Sequence, residues 1–152
     1  MIMKSRPMKA LFIEVLKRAK QKYDFDVENF CVMGNHFHLM IRPRNGARLS
    51  SVMQWIMSVF AMAWNRIHRL TGHVWGGRFF SQVVESLREF VQIFGHIDQE
   101  PVKAGLADHP QDWRFGGLWH RRTGQRGILG KPSWLVEMLF PVHQILRLKE
   151  FT

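Results

Sequence analysis

The run Met33-Gly34-Asn35-His36-Phe37-His38-Leu39-Met40 constrains this chain more than any other stretch. Gly34-Asn35 is a turn signal between two apolar segments, Asp26–Met33 (with Val27, Phe30, Cys31 and Val32) and His36–Arg42, so the pattern predicts a β-hairpin. Side chains alternate between the two faces of a strand, which puts His36 and His38 together on one face and Phe37 and Leu39 on the other. Two imidazoles on one rigid strand can both ligate one divalent metal. Two partly buried histidines that only hydrogen-bond would leave the same pattern, and two ligands are too few to define a metal site.

The hairpin is embedded in a regular succession of elements. From Met8 to Tyr23 the apolar residues Leu11, Phe12, Val15, Leu16, Ala19 and Tyr23 recur at helical spacing, with Lys17, Arg18, Lys20 and Lys22 mostly opposite. Tyr23, the only tyrosine, reads as a packing residue at the end of that helix. After a loop at Pro43, Asn45 and Gly46, Ser50 or Ser51 can cap a long helix. Its stripe is Val52, Trp55, Ile56, Val59, Phe60, Ala63, Ile67 and Leu70, and Thr71-Gly72 ends it. Met53, Met57, Met62 and Trp64 widen the stripe for core packing and a dimer contact. Phe79–Val84 reads as a third strand. Ser86-Leu87-Arg88-Glu89 matches a capping box and opens a helix that runs to about Gln99, where Pro101 stops it. A helix continuing that far would set His96 and Glu100, four residues apart, on one face.

This order, α-β-β-α-β-α, predicts an α+β chain. It fits a ferredoxin-like split β-α-β with an antiparallel sheet, whose first strand is shortened or missing because only Met1–Ser5 precedes the first helix. That strand is interior in such a unit, so its loss exposes sheet edges. Residues 1–107 form the expected domain, and residues 108–152 a basic, Trp-rich helical extension. In the extension Trp113, Trp119 and Trp134 alternate with Arg114, Arg121, Arg122, Arg126 and Lys131, and Trp134–Leu139 and Pro141–Lys149 read as two short helices.

The charge points to a partner. Lys plus Arg is 22 against 12 Asp plus Glu, a net +10 with a pI near 10.7. Spread along the chain, this predicts a basic face on a folded domain and a polyanionic ligand, nucleic acid or an anionic membrane. The glycine-rich, aromatic and basic run His73–Phe80, with Trp75 and Arg78, suits bases and phosphates, as does the interleaving in the extension. An ordinary turn and simple packing would explain both equally. A single cysteine, Cys31, in an apolar run excludes a disulfide framework and a zinc knuckle. No signal peptide or membrane span is evident, and a cytoplasmic location is expected.

Four segments carry a resemblance: Val32–Pro43 (VMGNHFHLMIRP), Met53–Arg66 (MQWIMSVFAMAWNR), Gly72–Val84 (GHVWGGRFFSQVV) and Ile97–Leu106 (IDQEPVKAGL). In this order they resemble the single-tyrosine HUH transposases, and among these the REP-associated tyrosine transposase-like proteins. The resemblance covers roughly Met8 to Trp119. It implies that His36 and His38, with one ligand from the last helix, hold Mg2+ or Mn2+, which polarises a scissile DNA phosphate. It implies a helix tyrosine that attacks phosphorus to give a 5′-phosphotyrosine and a free 3′-hydroxyl. It also implies a homodimer that binds single-stranded or hairpin DNA, with Arg42, Arg44, Trp75, Arg78, Lys103 and Arg114 as the DNA-contacting residues and no membrane partner.

Two departures qualify the resemblance. The family's Tyr-Ile-Asp-x-Asn-Pro-Val-Lys-Ala-Gly reads His96-Ile97-Asp98-Gln99-Glu100-Pro101-Val102-Lys103-Ala104-Gly105 here. Glu100 stands at the ligand position and brings charge to a hard cation. His96 stands at the nucleophile position, open to attack on phosphorus, to service as a base for water, or to no catalytic role. The family's first strand, before the first helix, is the second departure. A non-catalytic nucleic-acid-binding module derived from a transposase is the alternative reading. A metal-dependent hydrolase of small phosphodiesters fits the +10 charge and the interleaved aromatics least well.

Overall fold

The structure is a computed structural model and describes residues 2–140. The chain is α+β. Helix α1 (Arg6–Lys22) leads into a hairpin of β1 (Phe25–Val32) and β2 (Phe37–Pro43), followed by α2 (Leu49–His68) and α3 (Leu87–Lys103). A 3-10 turn at Pro110–Asp112 and two short helices, α4 (Gly117–Thr123) and α5 (Trp134–Leu139), complete it. Ser5 caps α1, its hydroxyl accepting from the Met8 amide at 3.3 Å, and Pro7 sits in the first turn, where its missing N–H is harmless.

The hairpin separates two apolar layers. On one face Phe37, Leu39 and Ile41 of β2 pack with Phe12, Leu16, Val52, Ile56 and Phe60 of α1 and α2. On the other face Met40 packs with Cys31, Met33, Phe94, Ile97 and Val136, beneath α3 and α5. The period-2 alternation read from the sequence therefore holds. Strand β1 adds a feature that the sequence does not announce. The pairing steps from Val27↔Ile41 to Asn29↔Met40, so Glu28 is an extra residue in a β-bulge. Before the bulge the odd residues Phe25 and Val27 face α1 and α2; after it the even residues Phe30 and Val32 do. One inserted residue thus turns Asn29 and Cys31 toward α3.

Several expectations are corrected. Phe79–Val84 is not a strand; no backbone–backbone hydrogen bond involves these residues among the described ones, and Phe80 is 92% and Val83 76% exposed. The sheet has two strands among the described residues. The first strand, expected to be shortened or missing, is missing among the described residues, as expected: residues 2–5 form a turn whose Met3 is buried and donates its amide to the Gly34 carbonyl at 2.8 Å. A strand at Phe79–Val84 would need a neighbouring backbone to pair with, and among the described residues no interior strand offers one. Helix α2 starts earlier than expected, with Arg48 rather than Ser50 or Ser51 at the N-cap, and ends at Arg69 in the left-handed region (φ 54°). The capping box at α3 is half-formed. The Ser86 hydroxyl accepts from the Glu89 amide at 3.1 Å, while the Glu89 carboxylate accepts from the Glu85 amide at 2.8 Å.

Pro101 does not stop α3, which runs on to Lys103. Pro101 lacks the N–H that would bond the Ile97 carbonyl, yet it is buried, and the closing turn bonds Ala104 to Glu100 and Leu106 to Pro101 at 2.9 and 2.8 Å. Tyr23 caps α1 and lies edge-on to Trp55 at 6.4 Å, a packing role as expected. The expected helix Pro141–Lys149 lies outside the described residues. The segment after residue 108 shares both apolar layers: Ile128 and Leu129 join the first, Val136 the second, and the Trp113 indole donates to the Val32 carbonyl at 3.1 Å. No helix among the described residues is long and apolar enough to cross a membrane.

His120 of α4 is 3% exposed and lies edge-on to Phe30 at 4.9 Å. Burial, helped by the nearby Lys17 charge and opposed by a hydrogen bond with the Arg114 backbone, pushes its pKa from 6.5 down to about 4. The folded chain therefore binds fewer protons than the unfolded chain between these values. Stability should fall as pH drops through that window, by up to about 3 kcal/mol from this group. Urea midpoints at pH 7 and pH 4.5 test this, and His120→Phe should flatten the slope.

Candidate metal centre

The alternation of β2, carried back one residue into the turn, places His36 and His38 on the α3 side of the hairpin, with their rings 5.2 Å apart and nearly perpendicular. Glu100 reaches them from the last turns of α3. One ligand atom from each of His36, His38 and Glu100 lies within 4.8 Å of the other two. His38 is the inner member. Its Nε2 is buried and has no hydrogen-bond partner, and it faces Glu100 Oε2 at 3.6 Å. That separation is too long for a hydrogen bond. Burial lowers the His38 pKa, with smaller contributions from His36 and His96 against the raising effect of Glu100. The ring is therefore held in the neutral form that ligates metals.

His36 is exposed at the turn. Its Nδ1 and the Asn35 side-chain oxygen are 2.7 Å apart. An oxygen acceptor there fixes the proton on Nδ1 and leaves the Nε2 lone pair for a ligand, the usual arrangement of a metal-binding histidine. The donor set is two imidazoles and one carboxylate. An orphaned, buried imidazole nitrogen beside a carboxylate at non-bonding distance fits a divalent cation with a partly oxygen, partly nitrogen shell.

His96 stands on the same helical face as Glu100. Its Nε2 lies 2.5 Å from Glu100 Oε1, and the Lys103 ammonium donates to its Nδ1 at 2.9 Å. An ammonium can only donate, so Nδ1 is the acceptor and Nε2–H points at the carboxylate. Both nitrogens of His96 are engaged, and the chain Lys103–His96–Glu100 aims the carboxylate.

The remaining candidates are scattered. Arg42 pairs with Glu28 at 2.8 Å and Arg44 pairs with Asp26, at the end of β2 away from the histidines. Trp75 is half-buried: its indole donates to the Met57 carbonyl at 2.8 Å and its ring packs on Phe12, Phe37 and Phe60, so it anchors part of the core. Arg78 is exposed, and the exposed Arg114 lies over the Trp119 ring at 5.4 Å. Lys103 alone among them sits at the candidate centre.

The sequence did not announce a buried polar cluster below the site. Asn29 donates to the Phe94 carbonyl at 3.0 Å and to Asp98 Oδ1 at 2.9 Å. Arg121 donates to Asn29 Oδ1 at 3.0 Å and to Asp98 Oδ2 at 2.7 Å. The one sequence signal is a polar Asn within an apolar strand.

The family described as "Transposase IS200 like" matches residues 2–98. A solved structure described as a REP-associated tyrosine transposase bound to a REP hairpin shares the fold, with a TM-score of 0.66 at 21% identity over 76% of this chain and 67% of that one. No curated protein sequence matches the chain.

Proposed function

Because this chain belongs to the IS200-like transposase family and its structural relative is bound to a REP hairpin, we propose that it binds single-stranded or hairpin DNA and holds Mn2+ or Mg2+ among His36, His38 and Glu100. The observation that carries the metal site is the buried, partnerless Nε2 of His38 opposite the Glu100 carboxylate. Two nitrogen donors favour Mn2+ over the more strictly oxygen-seeking Mg2+. When bound, such an ion polarises a scissile phosphate and orients it. The chain's own residues do the rest. Glu100 supplies the site's negative charge, His96 and Lys103 aim it, and basic side chains such as Arg78, Lys103 and Arg114 meet the backbone phosphates. The reading includes a homodimer, for which the exposed Met62 and Ile67 of α2 and Leu70 just beyond it offer apolar surface.

Strand cleavage would have to start at His96. Attack by Nδ1 on phosphorus forms an N–P bond and expels the 3′-oxygen, which takes up a proton; it first requires Lys103 to release the lone pair. That engagement favours the second reading, a DNA-binding module without strand transfer.

Incubation with hairpin DNA and Mn2+, read on denaturing gels, separates the two. The expected result is salt-sensitive binding without a covalent adduct, and gain of cleavage in His96→Tyr. An adduct in the wild type that is lost in His96→Ala would establish His96 as the nucleophile. Absence of DNA binding at low salt would overturn both readings.

A further inference from the structure

We propose that Arg121, which lies beyond the residues matched by the family, is a positioning residue for Glu100. It completes a clamp with Asn29 and Asp98 that sets the rotation and axial register of α3 against the hairpin, an inference that rests on the metal-site reading above. The cluster is built like a fixed joint. Asn29 is fully buried, and the Asp98 and Arg121 side chains are 7% and 5% exposed. Asn29 uses its amide group on the helix alone, bonding the Phe94 carbonyl and Asp98 one turn later. Its oxygen accepts from the Phe30 amide at 2.9 Å and from Arg121. Arg121 joins the two from α4, and its guanidinium lies 4.6 Å from the Phe94 ring centroid.

The joint is two residues from the site along each element. On the helix, Asp98 precedes Glu100 by two. On the hairpin, Asn29 precedes Cys31 by two, and Cys31 pairs directly with His38. A slip of α3 by one residue would carry Glu100 about 1.5 Å along the helix and turn it by about 100°, away from His38. The buried hydrogen bonds forbid that slip, because any other register leaves a carboxylate and a guanidinium buried without partners. The β-bulge at Glu28 belongs to the same device, since it turns Asn29 toward α3.

The test is Mn2+ titration of the full chain, read by the electron paramagnetic resonance of free Mn2+. Arg121→Lys keeps the charge but loses the two-pronged geometry; Asp98→Asn keeps the shape but loses the charge. Both should weaken Mn2+ binding by about 10-fold or more, in the range seen when groups supporting metal ligands are removed. Val15→Ala, a buried change on α1 in the other apolar layer, should lower the thermal midpoint yet leave Mn2+ affinity within about 2-fold, since lost packing there does not move α3. Folded Arg121→Lys or Asp98→Asn with wild-type affinity would overturn the inference while leaving the metal site standing. A wild-type chain that takes up no Mn2+ would overturn both.

Discussion

Gly117→Ala is expected to destabilise the chain by about 4 kcal/mol, combining overpacking with disruption of buried hydrogen bonds. A Cβ at Gly117 would lie 2.0 Å from Asn29 Oδ1 and 3.2 Å from an Arg121 terminal nitrogen. Neither neighbour can give way cheaply. Asn29 is fully buried and its oxygen accepts from Arg121 and from the Phe30 amide. Moving it breaks bonds to a buried guanidinium and a buried carboxylate together. For a chain of this size the loss corresponds to a drop in thermal midpoint of about 10 °C. Calorimetry of the variant measures it, with Gly124→Ala at the opposite end of α4 as a comparison. That glycine has open space around it but a φ of +71°, so only backbone strain of about 1 kcal/mol is expected there. Equal losses at the two positions would show that Gly117 is not tightly enclosed.

Glu100→Gln is expected to weaken Mn2+ binding roughly 100-fold, more than either histidine change, because affinity for hard cations follows the ligand charge. The substitution keeps the size of the side chain and its place on α3. It removes the anion that faces His38 at 3.6 Å and His96 at 2.5 Å. His38→Ala should come next, since it deletes the buried nitrogen, and His36→Ala last, since His36 is exposed at the turn. Isothermal titration with Mn2+ ranks the three. Wild-type affinity in Glu100→Gln would remove Glu100 from the proposed site.

Local patterns carried much of the fold. The apolar stripe of α1 and the alternation along β2 are properties of adjacent residues, with periods set by backbone geometry, and both are readable in the sequence. The same alternation is enough to put His36 and His38 on one face. Glu100 needed more, because its place beside His96 holds only if the helix survives Pro101. Local chemistry predicts a stop there. Burial of Pro101 against the hairpin side and closure of the last turn carry the helix past it.

Other features were decided at a distance. Phe79–Val84 has the composition of a strand but, among the described residues, no backbone pairs with it, and pairing is a property of two segments. Trp75 reads as a stacking ring, yet its partners Phe12, Phe37 and Phe60 come from three different elements. The bulge at Glu28 turns on one residue, and the Asn29–Asp98–Arg121 cluster joins positions up to 92 residues apart. By itself, then, the sequence determined α1, α2, α5 and most of α3, the hairpin, its facing histidines and the family pattern, because these depend on short-range periodicity and residue order. Only the tertiary structure decided that Glu100 faces His38 and that His96 is tied to Lys103. Those contacts depend on how α3 is held against the sheet, and the buried charges that hold it come from residues remote in the chain.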